Sequence, residues 1–395
     1  MALRSARYFE SVEAPELLEW LYAWAHAHPR AGGLVLLAEA DRGSLSAVQD
    51  RFRHAGLKVV GGVFPELIVG AQTRRHGLNV LLLPDMPSRW IAEGLGSEHE
   101  PEPMQGGAPS PFEEMLEGIA RAVAGSPGGR EHALLLLCDA VLPNTATLLE
   151  RLFARLADSL RYLGANAGSE SFHPIAAIFD EDRAYEGAVL GLLLEEHSGA
   201  VLAHGYQRPD ALVPATATAG NRIASIDWRP AFDVYRELAH QEHGLEITSE
   251  NFYDFAVHYP IGIIRPDGEI LVRIPVHLGD DGSLVCAGEI PESSVLTLLR
   301  AAESDSIQTV QAIAEGLKTA PAGDALTFYC AGRRRHMGSE AGVELRNLGD
   351  RLRPRPVHGA LSLGEIGSTP RSPYPLFHNA AVLCAPWPDA PAGAG

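Results

Sequence analysis

Residues 359–387 read GALSLGEIGSTPRSPYPLFHNAAVLCAPW. The run predicts an apolar strand that stops at a tight glycine turn, then an acid, a Pro-rich excursion and a second apolar strand. Glu365 lies between Gly364 and Gly367, so its carboxylate is open to a ligand with no bulky flank in the way. His378 and Asn379 open the second apolar run, where a polar pair is not needed for packing. The stretch reads as ligand-binding architecture carried on an α/β scaffold.

The same order of parts (apolar strand, helix, strand, glycine-rich turn with polar residues, strand) occurs three times. The first copy runs from GLVLLA through GGVFPELIVG to LNVLLLP. The second runs from ALLLLCD through GANAGSE to PIAAIFD, and the third from ALTFYCAG through GALSLGEIGS to NAAVLCAP. The strand-to-turn distances are similar: Leu34 to Gly61, Ala133 to Gly164 and Ala325 to Gly359. Each turn is expected at a strand end, where glycine lets backbone amides converge on a small group, as ligand sites do at the edges of open sheets.

Elsewhere, helical spacing marks 13–28, 44–55, 111–124, 146–160, 230–243, 305–317 and 339–352. Short strands between 174 and 227 suggest an antiparallel meander, and Asp267-Gly268 and Asp280 to Gly282 are hairpin turns. Residues 94–111, rich in Pro, Gly and Glu, should form a mobile surface loop. The expected fold class is mixed α/β (α+β): two domains of mixed sheets flanked by helices. An N-terminal helix falls in 1–30, the first domain spans 31–245, the second spans 246–388, and 389–395 form a disordered tail.

At 395 residues, two cores are the default expectation. A formal charge of −18 argues against nucleic acid or an anionic membrane as partner, since both attract positive surface. Cys138, Cys286, Cys330 and Cys384 are far apart and end apolar runs, as reduced core thiols do. No apolar run reaches the ~20 residues of a membrane span, and the N-terminus carries acids where a signal peptide would be apolar. A cytoplasmic location is expected.

The C-terminal residues YPIGI, ILVRIPV, GSLVCAGEIP, CAGRRRHMG, GALSLGEIGS and FHNAAVLCAPW resemble the C-terminal domain of FIST proteins. LLLLCD, GANAGSE, AHGY, TATAGNRIASID and PAFDVYREL resemble the companion N-terminal domain. The resemblance implies a sensory domain pair that binds small ligands, amino acids and related metabolites among them, and signals to a separate partner. One branch of the family binds haem and reports nitric oxide to histidine kinases and cyclic-dinucleotide enzymes. This chain departs from the family in its first copy. Where members carry a Cys-Ser-Thr-Ala-Gly-Glu-Ile-like turn, it reads GGVFPELI, and only Glu66 remains. The second domain is therefore expected to dominate binding.

The candidate ligand-binding set is Arg273, Cys286, Gly288, Glu289, Cys330, Arg333, Arg334, Gly364, Glu365, Gly367, His378 and Asn379. Glu289 and Glu365 occupy the paired settings AGEIP and LGEIG, suited to a ligand ammonium or to orienting an arginine. Arg273 stands mid-strand, where a charge must be paired; it either clamps a ligand carboxylate or pairs with Glu289 or Glu365. Arg333 to Arg335 follow a strand end, either solvated or binding an anion. The corresponding set in the first half is Gly164, Asn166, Ser169, His204, Thr218 and Asn221. No metal is expected; haem, if bound, would be non-covalent with His204 on the iron. No nucleophile elbow, Walker loop, HExxH or dinucleotide fingerprint occurs, so no catalytic residue is assigned. A cysteine-dependent enzyme using Cys330 or Cys286 stays open as an alternative.

Overall fold

A computed structural model describes residues 4–95, 109–126, 131–207, 209–301, 305–369 and 372–388. Each of the three repeated segments folds as a parallel strand pair with a helical crossover. Gly32–Ala38 runs parallel to Lys58–Phe64, His132–Asp139 to Arg161–Ala167, and Gly323–Cys330 to Val357–Ser362. A third strand returns antiparallel against the first of each pair: Leu78–Leu83, Val189–Glu195 and Val382–Pro388. The repeat read in the sequence is thus a repeat in space, built as three six-stranded mixed sheets.

The inner faces of the three sheets meet in one core. Leu34, Leu36 and Leu81 come from the first sheet, Leu135, Leu163 and Leu190 from the second, and Leu326, Phe328 and Leu383 from the third. The outer faces carry helices. Pro15–Ala27 and Leu45–Ala55 cover the first sheet, Pro111–Gly125 and Thr145–Leu156 the second, and Asp305–Gly316 and Glu340–Leu352 the third. Burial on both faces is why these strands read as unbroken apolar runs rather than alternating ones. The helix Leu45–Ala55 stops where Gly56 turns left-handed and its amide bonds back to Arg53, as a C-terminal glycine should.

Between its parallel pair and its returning strand, each unit lends strands to a neighbour. The hairpin Leu67–Val69 and Gln72–Arg74 of the first unit pairs with Val357–Ser362 of the third. The hairpin Glu365–Thr369 and Ser372–His378 of the third pairs with Arg161–Ala167 of the second. Ile178–Asp180 of the second pairs with Lys58–Phe64 of the first. The exchange is cyclic. Asn79, fully buried, pins one crossing by donating to the carbonyls of Ile68 and Gly359 at 2.9 and 2.8 Å.

A fourth, eight-stranded antiparallel sheet spans much of 213–298 and packs on Ala231–His243 and Phe252–Ala256. It contains both hairpins expected at Asp267-Gly268 and Asp280 to Gly282. The meander expected over 174–227 is not one sheet. Ile178–Asp180 joins the first sheet, Val189–Glu195 the second, Val201–Ala203 the third, and Val213–Ala219 the fourth. Alternation identifies a strand but not its partner. A strand Ala6–Phe9 precedes the opening helix, and the Pro-rich excursion after Glu365 is itself a β-hairpin. Of the expected loop over 94–111, residues 96–108 lie outside the described residues, as does the tail 389–395. Among the described residues no helix is long and apolar enough to cross a membrane.

The glycines of the repeat do not sit in ligand turns. Gly61, Gly164 and Gly359 lie inside the second parallel strand of each unit, directly opposite Val35, Leu136 and Thr327. A Cβ there would fall 2.1, 1.9 and 1.7 Å from the carbonyl oxygens of those partners. The repeated glycine is a strand-contact residue, and the expected ligand role of Gly164 is replaced by this one. Gly359→Ala and Gly164→Ala should each lower unfolding free energy by at least about 2 kcal/mol, or prevent folding. Gly43→Ala, with nothing within 4 Å of its Cβ, should change it by no more than about 0.5 kcal/mol. Urea unfolding of the three variants measures the contrast.

Candidate ligand site

The turns that end the second and third parallel pairs are stitched together by backbone. Asn166 N donates to Gly364 O at 2.9 Å, and Leu363 N donates to Asn166 O at 3.0 Å. The fourth sheet closes over this seam through Val276 and residues 286–288, forming a cleft. Its larger part, about 290 Å³, is lined by Leu142, Asn166, Asn221, Cys286, Gly288 and Phe377 among others. A smaller part of about 80 Å³, reached past the shared walls Phe172, Val276, Ala287 and Leu363, adds Cys330, Arg335 and Asn379. Residues that the sequence placed in two separate sets, one in each half, line the two parts of one cleft.

Two of them hold a buried polar atom without a partner. Asn166 is 3% exposed and Asn379 1%, and the buried side-chain oxygen of each has no hydrogen-bond partner among the described residues. Buried amide oxygens are ordinarily satisfied, so each of these calls for a donor from outside the chain. Asn221, by contrast, spends its amide on Cys286 O at 3.1 Å. Phe172 lies over both parts of the cleft, 40% exposed and in left-handed backbone conformation.

Glu365 lies beneath the smaller part, fully buried. Its Oε1 accepts from Ser362 Oγ at 2.5 Å and its Oε2 from Ala381 N at 3.1 Å. Burial pushes its carboxyl up to about 8, against the pull of these donors, of Cys330 and of Arg333. At neutral pH it is mostly an uncharged acid, and it does not line the cleft. Glu289 is a helix cap. Its Oε2 accepts from Ala146 N at 2.5 Å and Thr147 N at 3.1 Å, and its Oε1 from Thr147 Oγ1 at 2.5 Å. A carboxylate from the second half thereby holds the N-terminus of Thr145–Leu156 in the first half.

The glycines before these two acids share one neighbour. A Cβ on Gly288 would lie 2.8 Å from the Phe377 ring, and one on Gly364 would lie 2.4 Å from it. Both hold positive φ, 149° and 146°, so AGEIP and LGEIG are matched because each packs glycine against that ring. Phe377 is a site residue that sequence reading missed, since nothing in its neighbours marks it. Gly367 is mid-strand, away from the cleft, with Leu202 nearest to where a Cβ would be, at 3.3 Å.

The arginine cluster is helical, on Ala331–Met337. Arg333 is fully buried and paired with Glu344 at 2.7 Å, while also donating to His204 O and Thr309 Oγ1. Tyr329 donates to the same carboxylate at 2.6 Å. Arg334 bridges Glu66 at 2.8 Å and Glu170 at 2.7 Å, so the acid retained in the first copy holds this helix. Both of these arginines are engaged inside the protein. Arg273 makes no ion pair with Glu289 or Glu365; its bonds go to backbone carbonyls.

The histidines do not form a metal site: no group of three or more His, Cys, Asp or Glu is placed to hold an ion among the described residues. His204 Nδ1 accepts from Tyr206 N at 3.1 Å, and the ring also bonds the Ile270 backbone. Burial lowers its pKa to about 4, helped by Arg333. His378 packs 5.6 Å from the His204 ring, 1% exposed, and neither of its nitrogens has a partner. Thr218 lies on Val213–Ala219, and Ser169 bonds Ser171 in a turn, so both sit outside the cleft walls. All four thiols are buried. Burial pushes Cys138, Cys286 and Cys384 up to about 12 and Cys330 higher, which keeps them protonated at neutral pH.

Three mixed sheets around one core, with a small cleft walled by both halves, define a scaffold of mixed α/β type. The FIST N domain matches residues 33–229 and the FIST C domain residues 231–368. The chain belongs to the FIST family, whose domains are signal-transduction sensor domains. Among curated proteins no relative matches.

Glu365 gives a pH test. Its folded pKa is raised above the ordinary 4.5, so the native state binds more protons than the unfolded state between about 4.5 and 8. Stability from this group is full below the lower value and is lost as pH rises through the upper one. Glu365→Gln should remove that slope, so the variant gains on the parent between pH 5 and 8. Urea midpoints across that range measure it; parallel curves would mean that Glu365 is ionised in the fold.

Proposed function

We propose that this chain is a cytoplasmic sensory protein that binds a small, polar, amino-acid-like metabolite in the cleft and signals to a separate partner protein. The observation that carries the reading is the pair of buried asparagines, Asn166 and Asn379, whose side-chain oxygens have no partner among the described residues. Each presents an unpartnered acceptor oxygen beside an NH2 donor group, which suits a ligand carrying donors and acceptors together, such as an α-amino acid or its amide. The dimensions agree. A cleft of about 290 Å³ with a side lobe of about 80 Å³ holds a metabolite rather than a macrocycle.

Signalling follows from where the walls come from. Leu142 and Asn166 belong to the first half, and Val276, Gly288 and Asn379 to the second. A ligand touching both favours whichever arrangement of the two brings the walls together, by its difference in affinity between arrangements. Phe172, over both lobes, is the side chain best placed to respond. Regulation of a histidine kinase or cyclic-dinucleotide enzyme remains the partner class suggested by family resemblance. The haem reading would rest on His204, whose Nδ1 already accepts from Tyr206 N, and the small cleft favours a metabolite over it. The thiol-enzyme reading needs a thiolate that burial disfavours at neutral pH.

Thermal-shift screening against the free amino acids and their amides tests this. At least one compound should stabilise the protein, by about 1.4 kcal/mol at ten times its Kd. Asn166→Ala and Asn379→Ala should each abolish the shift, while Gly43→Ala keeps it. Hits that survive both asparagine variants would place binding elsewhere and sink the proposal.

A further inference from the structure

Arg273 ends the strand Ile270–Arg273 and is 1% exposed. Its Nε donates to Glu289 O at 3.0 Å, and its Nη1 to Val272 O at 3.1 Å and Phe377 O at 2.6 Å. All three acceptors are neutral carbonyls. Glu289, the acid that would match it, is turned onto the helix Thr145–Leu156. Among the described residues nothing accepts from Nη2, and no carboxylate forms an ion pair with this guanidinium. Arg333 shows the ordinary arrangement, equally buried but facing Glu344 at 2.7 Å. The Phe377 ring lies 5.2 Å below the guanidinium and Glu289 acts on it only without contact; a buried charge with no counter-charge in contact is costly, and an anion brought in from outside is the group that would relieve it.

There is space for one. Arg273 lines a cavity of about 310 Å³ that is separate from the junction cleft, with Phe377 as the wall between them. Leu149, Ile263, Leu271 and Val295 make most of its surface apolar. Arg265 adds a second cation on the wall, 4.4 Å over the Tyr374 ring. The acid on the wall, Glu150, is exposed and bonded to Tyr374.

We infer that this cavity binds a small monocarboxylate with an apolar body, its carboxylate accepting from Arg273 and its hydrocarbon part lying against Leu149, Ile263 and Leu271. Inorganic phosphate meets the charge but not the apolar walls. The inference does not rest on the junction-cleft reading, and Asn379 takes no part in it.

Calorimetric titration of the full chain tests it, with sodium benzoate and sodium hexanoate as ligands and benzamide and hexanamide as their neutral counterparts. At least one carboxylate should bind, with its amide weaker by about tenfold or more, the value of a charged hydrogen bond. Whether benzoate or hexanoate binds tells ring from chain. Arg273→Gln should lose the carboxylate. Val295→Trp, which blocks the cavity from an exposed strand position and leaves Arg273 intact, should lose it as well, so the test stands even if Arg273→Gln does not fold. Asn379→Ala should bind as the parent does. The inference is overturned if neither carboxylate binds, if carboxylate and amide bind equally, if phosphate binds more tightly than both carboxylates, or if Val295→Trp binds undiminished.

Discussion

Three backbone carbonyls set the geometry of this fold. Those of Val35, Leu136 and Thr327 each stand where a side chain on the opposite residue of the neighbouring parallel strand would be. Only glycine allows the approach, and the chain supplies it at Gly61, Gly164 and Gly359. The tight parallel pair then continues into strands that pair with the next unit. Because each unit completes another's sheet, no one of the three closes alone. The sheets cross the point where the FIST N and FIST C domain matches meet, since Glu365–Thr369 pairs with Arg161–Ala167.

That exchange also makes the cleft. The turn after Arg161–Ala167 and the turn after Val357–Ser362 would be far apart in two independent domains. Here they share hydrogen bonds between Asn166 and the Leu363-Gly364 backbone. The fourth sheet is then fixed against the seam by charge rather than by strand pairing. Glu289 reaches across from it to cap Thr145–Leu156, while in the third unit Arg334 ties the helix Ala331–Met337 to Glu66 and Glu170 in the first half. These acids and arginines were legitimate ligand candidates by residue type. The structure uses them to join the two halves around the ligand space.

Much of the scaffold was legible in the sequence because burial on both faces leaves unbroken apolar runs, and because the three copies agree in spacing. The end of the helix read over 230–243 fits Gly244, which turns left-handed just beyond it. What could not be read was partnership. Val201–Ala203 and Val213–Ala219 look alike as short strands, yet they belong to different sheets. The site was legible in part for the same reason. Asn166, Cys286, Gly288, Cys330 and Asn379 all line the cleft, but nothing local told that two sets would merge into one. Phe377 was invisible, since its role depends on glycines 89 and 13 residues away packing on its ring. Arg333 was read as exposed or anion-binding because Glu344 lies a helical turn and more beyond it, across a bend between two helices.

The polar interior then divides by whether the fold answers it. Arg333 has Glu344, Asn79 has two carbonyls, and Glu289 has a helix end. Glu365 is answered by staying protonated, for two donors cannot offset the loss of water around a carboxylate at zero exposure. Asn166, Asn379 and Arg273 are among the groups it does not answer, and each of these three lines a cavity, whereas His378, Tyr162 and Thr297 hold buried polar atoms that are unpartnered among the described residues away from those walls. Unsatisfied groups scattered through a core would only weaken it. On a cavity wall, such a group lowers stability in the empty protein and returns it when a matching group arrives, which is the energetic asymmetry a sensor needs between its free and bound states.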